Sequence, residues 1–388
     1  MAPKKRPEIK EKDLQGIKYF DRLAPLLEEL HGQGTERDRA GNRVLHYDHY
    51  MGLLLIHFFT PVLTSLRAIQ QASGLKKVQK LLGSSRASLG SLSEASRVFS
   101  ADVLKGIIEE LGSEIQPSEF DERVRKALEG LTAVDGSLLP ALPRMAWALW
   151  VSDTKRAAKM HVAYEVFLCN PVNLTVTAGN GNEKDQLRAM LEAGRLYVMD
   201  RGYAEYALFQ KIIDKKSSFI GRIRDNAVWE VIEERPIDDR ARSAGVERDL
   251  VVRLGCSQKA EEIREPVRVV MVRPDLAGTR NREPILLVTD RLDLDADLVA
   301  LAYRFRWSIE LYFRWFKCVL GCKHLLSDDP NGVQLQVYVA VIAGLLITLW
   351  TGRKPSRRTL EMICLYLSGW AGEEELTEHI RNLPAVGE

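Results

Sequence analysis

Around position 128 the hydrophobic period of the chain changes, and no other feature constrains its fold as tightly. Upstream, apolar residues recur at helical spacing. Downstream, short runs of β-forming residues and helical stretches follow in the order β-β-β-α-β-α, closed by one more strand. The predicted strands are 131–134, 161–168 (HVAYEVFL), 173–178 (NLTVTA), 195–199 (RLYVM) and 217–223, with helices over 185–193 and 205–215. That order specifies a mixed α/β core.

The flanks divide the rest of the chain. Residues 1–18 read as a loose charged tail with no apolar stretch behind it, so no secretory signal is expected. Helices follow over 23–30, 50–59, 63–72, 75–82 and 94–111, with Pro61 opening the third, a break at Ser73-Gly74, a loop at 84–91 and Gly112 as a C-cap. Residues 225–282 are charged and carry strand-like runs at 228–232, 250–254 and 267–272, which predicts a β-rich insertion. An apolar strand at 284–288 precedes a long helix over 297–319, with Asp293 or Asp295 as its N-cap. The remainder is helical, broken at 352–355. The longest apolar run, 337–350, has 14 residues. It is shorter than the ~20 residues a bilayer span needs and reads as a buried core helix. The run 51–66, interrupted by His57, Thr60 and Pro61, reads the same way.

The expected organisation is therefore a helical N-terminal domain (1–118), a core split into 119–224 and 283–350, the insertion (225–282), and a helical tail (351–388) that is a candidate for dimerisation. With 46% hydrophobic and 28% charged residues in a chain of 388, wholesale disorder and fibrous repeats are excluded. The five cysteines, at 169, 256, 318, 322 and 364, are too few and too scattered for a disulfide framework, which points to a reducing cytoplasm. A net charge of +2 favours no partner class, so any nucleic-acid claim rests on local patches. One such patch is Lys76, Lys77, Lys80, Arg86 and Arg97. Around short helices and tight turns it reads either as a DNA-contacting face or as a solvated polar one.

Two acids carry the chemistry of the core. Asp135 and Asp200 each follow a short apolar strand, where α/β folds place working groups. Either alone also reads as a turn cap or an arginine partner. The long helix is more telling. At helical periodicity Tyr303, Arg306, Glu310, Arg314 and Lys317 share an arc of about 80°. Leu301, Phe305, Tyr312, Phe316 and Val319 lie opposite and pack on the core. Ion pairs Arg306–Glu310 and Glu310–Arg314 on an exposed face are one reading of the arc. The other is a site where the carboxylate binds a cation and the basic side chains contact phosphates. Two aspartates and a glutamate form an oxygen-only cage suited to Mg²⁺, and a pair of such ions serves phosphodiester chemistry.

The spacing Tyr303-x2-Arg306-x3-Glu310-x6-Lys317, together with TAVDGS (132–137) and VMDRGY (198–203), resembles the Tyr-Arg-Glu-Lys signature and aspartate motifs of insertion-sequence transposases of family four. The intervals of 65 and 110 positions between the three acids suit a core interrupted before its last acid. The resemblance implies a ribonuclease-H-like catalytic core and a cut-and-paste transposase. It would act as a homodimer on double-stranded DNA, namely transposon terminal inverted repeats and target DNA. Two Mg²⁺ or Mn²⁺ ions on Asp135, Asp200 and Glu310 are implied. Tyr303, Arg306 and Lys317 would contact DNA near the scissile phosphate, and Arg314 joins them on the shared arc. A bacterial cytoplasmic location, on the nucleoid when DNA is bound, follows, with no membrane partner. A metal-dependent nuclease without strand transfer and a non-catalytic DNA-binding derivative are the alternatives.

Other candidates carry less. Cys318, Cys322 and His324 have loose metal-ligand spacing without a second pair. Lys159 and His161 precede a core strand and receive no role. Gly179–Gly181 reads as a turn, not a phosphate loop. Trp229 reads as a core residue or as a platform for an unpaired base.

Overall fold

The computed structural model describes residues 19–34, 41–60, 62–116, 120–140, 145–152, 155–255, 263–273, 284–319, 325–352 and 356–383. The charged tail, Pro61, residues 353–355 of the expected break, Cys256, Cys322, His324 and the side chains of Cys318 and Val319 lie outside them.

A single sheet of ten strands organises the molecule. Its core is β1 (Leu131–Pro140), β2 (Leu149–Ser152), β3 (Lys155–Glu165), β4 (Asn170–Ala178), β5 (Leu196–Met199) and β6 (Ser218–Arg222). β1, β3 and β4 form an antiparallel meander. β5 and β6 then add in parallel beside β1, after the crossover helices Glu183–Met190 and Tyr206–Asp214. A three-stranded antiparallel meander continued by parallel strands is the arrangement implied above, so the fold is mixed α/β with a ribonuclease-H-like core. Local chemistry supports the first crossover. Asn182 caps the Glu183–Met190 helix by accepting from the backbone N–H groups of Lys184 and Asp185.

The insertion contributes β7 (Trp229–Glu234), β8 (Val246–Leu254) and β9 (Val267–Val272), and the chain returns as β10 (Ile285–Thr289). These strands extend the core sheet in the order β6-β10-β9-β8-β7. β10 is antiparallel to both β6 and β9, so the insertion is hydrogen-bonded into the core. Trp229 is half-buried against one of the two hydrophobic clusters.

β2 has no counterpart in the sequence expectation and β3 spans Lys155–Glu165 instead of 161–168; three further elements depart from it. The first is β1, which runs on to Pro140 instead of ending at Val134, because its second half pairs with β3 as far as Pro140↔Ala157. The second is the segment expected as one helix over 94–111. It is a helix Leu89–Val98, a short turn at 101–103 and a helix Leu104–Ser113. Phe99 is extended (φ −84°, ψ 124°), its ring stacks on Tyr47 at 4.6 Å, and its carbonyl accepts from Asn331. Gly112 lies inside the second helix, not beyond it.

The third departure is at the signature. The helix expected over 297–319 is two helices, Ala296–Phe305 and Trp307–Val319, joined at Arg306. The junction is closed by the three-residue bonds Arg306 N–H to Tyr303 O and Ile309 N–H to Arg306 O. The single 80° arc is therefore two arcs with a break between them. Asp295 occupies the N-cap position, but its side chain pairs with Arg123 instead of capping.

The apolar run of the tail becomes the 22-residue helix Pro330–Thr351, started by Asp329 and Pro330 and ended by a left-handed Gly352. By length and composition it could cross a membrane, yet 89% of its most apolar window is buried inside the protein. It packs against the helices Tyr47–Phe59, Leu89–Val98 and Leu104–Ser113 and against β4. At its start the Asn331 amide accepts from Ala101 N–H and donates to the carbonyls of Ser96 and Phe99. N-terminal helices, tail and sheet thus share one core.

Candidate active site

Strand alternation decides which face the acids occupy. On β1, Leu131 and Ala133 belong to one hydrophobic cluster and Val134 to the other. On β5, Leu196 and Val198 share the first cluster, and Tyr197 and Met199 the second. Successive side chains alternate between faces, so Asp135 and Asp200 are both in phase with the first cluster. That is the face on which the Trp307–Val319 helix packs against β1.

β1 and β5 pair in parallel only as far as Ala133↔Val198. Asp135 lies just beyond this point, still paired with Val162 of β3. Asp200 leaves the end of β5 and caps the turn Arg201–Tyr203, accepting from Gly202 N–H at 2.8 Å. The two aspartates thus emerge where adjacent parallel strands separate.

Their environment is acidic and half-buried. Burial pushes the Asp135 carboxyl up to about 6, and Asp200 and Glu183 push it in the same direction. The Gly136 N–H bond and the Arg306 charge oppose that shift. Burial also raises Tyr203 well above the usual phenol range, and Glu183, Asp135 and Asp200 all add to it. All three carboxylates thus act electrostatically on one buried ring. Asp200 and Glu183 disfavour the charge on Asp135, and a hard divalent cation would relieve that repulsion, so the oxygen donors Asp135 and Asp200 fit Mg²⁺ or Mn²⁺.

Glu183 and Lys159 are the residues that sequence reasoning missed or set aside. Lys159 Nζ is 2.5 Å from Glu183 Oε1. Both press against the backbone beside Asp135: a Cβ at Gly136 would stand 2.7 Å from Glu183 Oε1 and from Lys159 Cε. Glycine at 136 is a close-approach requirement. No signal marked Glu183 in the sequence, because an acid in the first helical turn is ordinary. His161, across from Gly136, donates to or accepts from Thr177 Oγ1 at 2.9 Å, and burial pushes it down to about 4.

The signature residues flank this group. Arg306 Nη2 donates to Glu310 Oε1 at 2.7 Å, and its guanidinium lies 5.9 Å from the centre of the Tyr303 ring. Arg306 also acts electrostatically on Asp135, and Tyr303 feels Asp200 and Arg222. Asp135, Asp200, Tyr303 and Arg306 are thus coupled electrostatically, while Glu310 is held by Arg306 and, among the described residues, forms no close ligand cluster with the two aspartates. Arg306 Nε is buried and, among the described residues, donates to no acceptor. Arg314 is exposed and Lys317 half-buried further along the helix. Lys76, Lys77, Lys80, Arg86 and Arg97 are all exposed. Arg97 stands 3.8 Å from both Asp328 and Asp329.

The sequence matches the family described as transposase DDE domain over residues 126–346, a span that contains all three acids. A Sinorhizobium fredii protein named as transposase y4zB is 31% identical over 237 residues, 60% of this chain and 64% of that protein. This chain thus covers less than two thirds of that relative's length. A Geobacillus stearothermophilus protein named as the transposase for insertion sequence element IS5377 is 25% identical over 76% of this chain and 74% of its own. A piggyBac transposase in a synaptic complex with hairpin DNA aligns over 93% of this chain and 83% of its own, with 11% identity and a TM-score of 0.45.

Proposed function

The chain belongs to the transposase DDE-domain family, and on that premise we propose that it cuts transposon ends and joins them to target DNA, with the family-four signature reading as assigned above. The observation that carries the proposal is the half-buried Asp135, electrostatically coupled to Asp200 and Glu183, where β1 and β5 diverge.

In this reading Asp135, Asp200 and Glu310 hold two Mg²⁺ or Mn²⁺ ions, which supply activation of the attacking oxygen and stabilisation of the leaving oxygen when bound. The protein's own groups do the positioning. Arg306, with a buried Nε still unspent, receives a phosphate oxygen and sets the orientation of Glu310. Tyr303 supports the guanidinium from below. Arg314 and Lys317 extend the phosphate track, and the exposed cations between Lys76 and Arg97 contact DNA further from the chemistry. Lys159 holds Glu183 against the Asp135 backbone.

The reaction begins with water attacking the phosphorus at the transposon end in line with the 3′ oxygen, so that a P–O bond forms as the P–O3′ bond breaks. The freed 3′-hydroxyl then attacks a phosphodiester of the opposite strand, forming a P–O bond as that strand's P–O3′ bond breaks; a second water cleaves the new link and regenerates the 3′-hydroxyl, which attacks a target phosphodiester by the same displacement. Two copies of the chain acting on two paired ends, in the bacterial cytoplasm, complete the proposal.

A nicking assay on a DNA end flanked by the element's own inverted repeats, with and without Mg²⁺, followed by a strand-transfer assay, tests it. Mg²⁺-dependent nicking and joining are expected. Nicking without joining would favour a nuclease, and end binding without nicking a non-catalytic derivative.

A further inference from the structure

A second cluster of metal-ligating side chains lies far along the chain from the three acids, at the mouth of the N-terminal helices. His31 follows the first described helix, while His46, Asp48 and His49 open the helix Tyr47–Phe59. Asp48 Oδ2 is 2.8 Å from His31 Nδ1 and 3.6 Å from His49 Nε2. One ligand atom from each of His31, Asp48 and His49 lies within 4.8 Å of the others. A tetrahedral zinc ion with bonds of ~2.0–2.1 Å places its ligands ~3.3 Å apart. Small side-chain adjustments reach that spacing.

Three details distinguish the cluster from an ordinary surface ion pair. Three imidazoles crowd one carboxylate, since the His46 ring stacks on His31 at 4.1 Å and stands edge-on to His49 at 5.5 Å. Asp48 Oδ1 is buried and, among the described residues, accepts no hydrogen bond. His46 is the N-cap of its helix but makes no capping bond; its Nδ1 instead engages the His31 carbonyl at 3.2 Å. The helix start is thus bound to residue 31 by side chains whose remaining nitrogens and oxygens are good ligands for a borderline-soft cation.

We propose that His31, Asp48 and His49 bind a divalent transition-metal ion, with zinc as the best match, that pins the 31–34 turn to the start of the Tyr47–Phe59 helix. The fourth position is open to water, and His46 orients His31 by stacking. The site is structural: it closes the chain between residues 31 and 48 and steadies a helix that packs against Pro330–Thr351.

Zinc and Co²⁺ are the probes. The full chain is equilibrated with either ion, freed of excess by gel filtration, and its metal content measured. Alongside it are His31→Ala, Asp48→Asn and the double variant Asp135→Asn/Asp200→Asn. His31 is half-exposed, so His31→Ala should keep its circular dichroism. One retained ion per chain is expected in the wild type and the double variant. Retention should weaken at least ~10-fold in His31→Ala and Asp48→Asn, and zinc should raise Tm only where the ion is retained. No retention by the wild type, full retention by both His31→Ala and Asp48→Asn, or loss confined to the double variant would each overturn the site. None of these outcomes bears on Mg²⁺-dependent nicking.

Discussion

At the scale of single residues, Asp135 is the most informative position. Its carboxyl is pushed up to about 6 by burial, then by Asp200 and Glu183. A raised acid destabilises the fold only when ionised, so the penalty is absent below the ordinary carboxylate range near ~4 and complete above its folded value. In EDTA, Asp135→Asn should therefore raise Tm at pH 7.5, and the advantage should vanish as pH falls from 6 toward 4. A difference in Tm that ignores pH would contradict the buried, repelled carboxyl. The same variant should abolish Mg²⁺-dependent nicking while leaving end binding largely intact, because affinity comes mainly from phosphate contacts. Around Glu310 the geometry separates charge from shape. Arg306 bonds Glu310 and keeps a second donor buried and unspent. Arg306→Lys retains the charge but loses the fork, so it should reduce nicking far more than charge conservation suggests. Lys317→Ala should weaken end binding and lower the slope of log K against log salt by about one. Binding curves across a salt series decide this, and parallel lines with equal intercepts would return Lys317 to a purely structural role.

At the scale of elements, the break at Arg306 matters most. A continuous helix would fix Tyr303 and Glu310 on one rigid rod, whereas two helices allow the Trp307–Val319 segment to be set by what it packs against. One of those partners is the Pro330–Thr351 helix, where a Cβ on Gly344 would stand 2.4 Å from Trp315 Cη2. Gly344→Ala must displace Trp315 and with it the helix that carries Glu310. We expect a loss of ~1–3 kcal/mol from overpacking, read as a lower unfolding midpoint, together with reduced nicking. Gly106→Ala is the matched control, because a Cβ there meets nothing within 4 Å. It should be neutral or stabilising, since it replaces glycine inside the Leu104–Ser113 helix. Equal effects of the two substitutions would show that helix spacing at Trp315 is not limiting.

At the scale of the whole molecule, a buried ion pair within the insertion also anchors it to the segment before the Ala296–Phe305 helix. Arg268 on β9 bonds Asp249 on β8 with both partners almost fully buried, and its other Nη donates to the Leu294 carbonyl just ahead of the Ala296–Phe305 helix. Arg268→Met leaves Asp249 buried without its partner, which should cost ~3–5 kcal/mol. Chemical denaturation of the full chain measures this, and a loss within error would mean that the insertion does not brace the helix. Sequence alone determined what depends on neighbours a few residues away: the switch of period near 128, the strand–helix order of the core apart from β2, the apolar identity of the tail helix, and the spacing that singles out Tyr303, Arg306, Glu310 and Lys317. Tertiary structure decided the rest. β1 continues through Asp135 because β3 offers it hydrogen bonds, Phe99 interrupts a helical pattern because Tyr47 and Asn331 offer better partners, and the insertion joins the core sheet because β10 returns between β6 and β9. Glu183 acts on Asp135 only because the crossover helix begins beside Gly136. Period and capping are local and therefore written in the chain, whereas register, helix breaks and converging charges are fixed by contacts between residues tens to hundreds of positions apart, whose energies outweigh local propensity by more than any short window of sequence reveals.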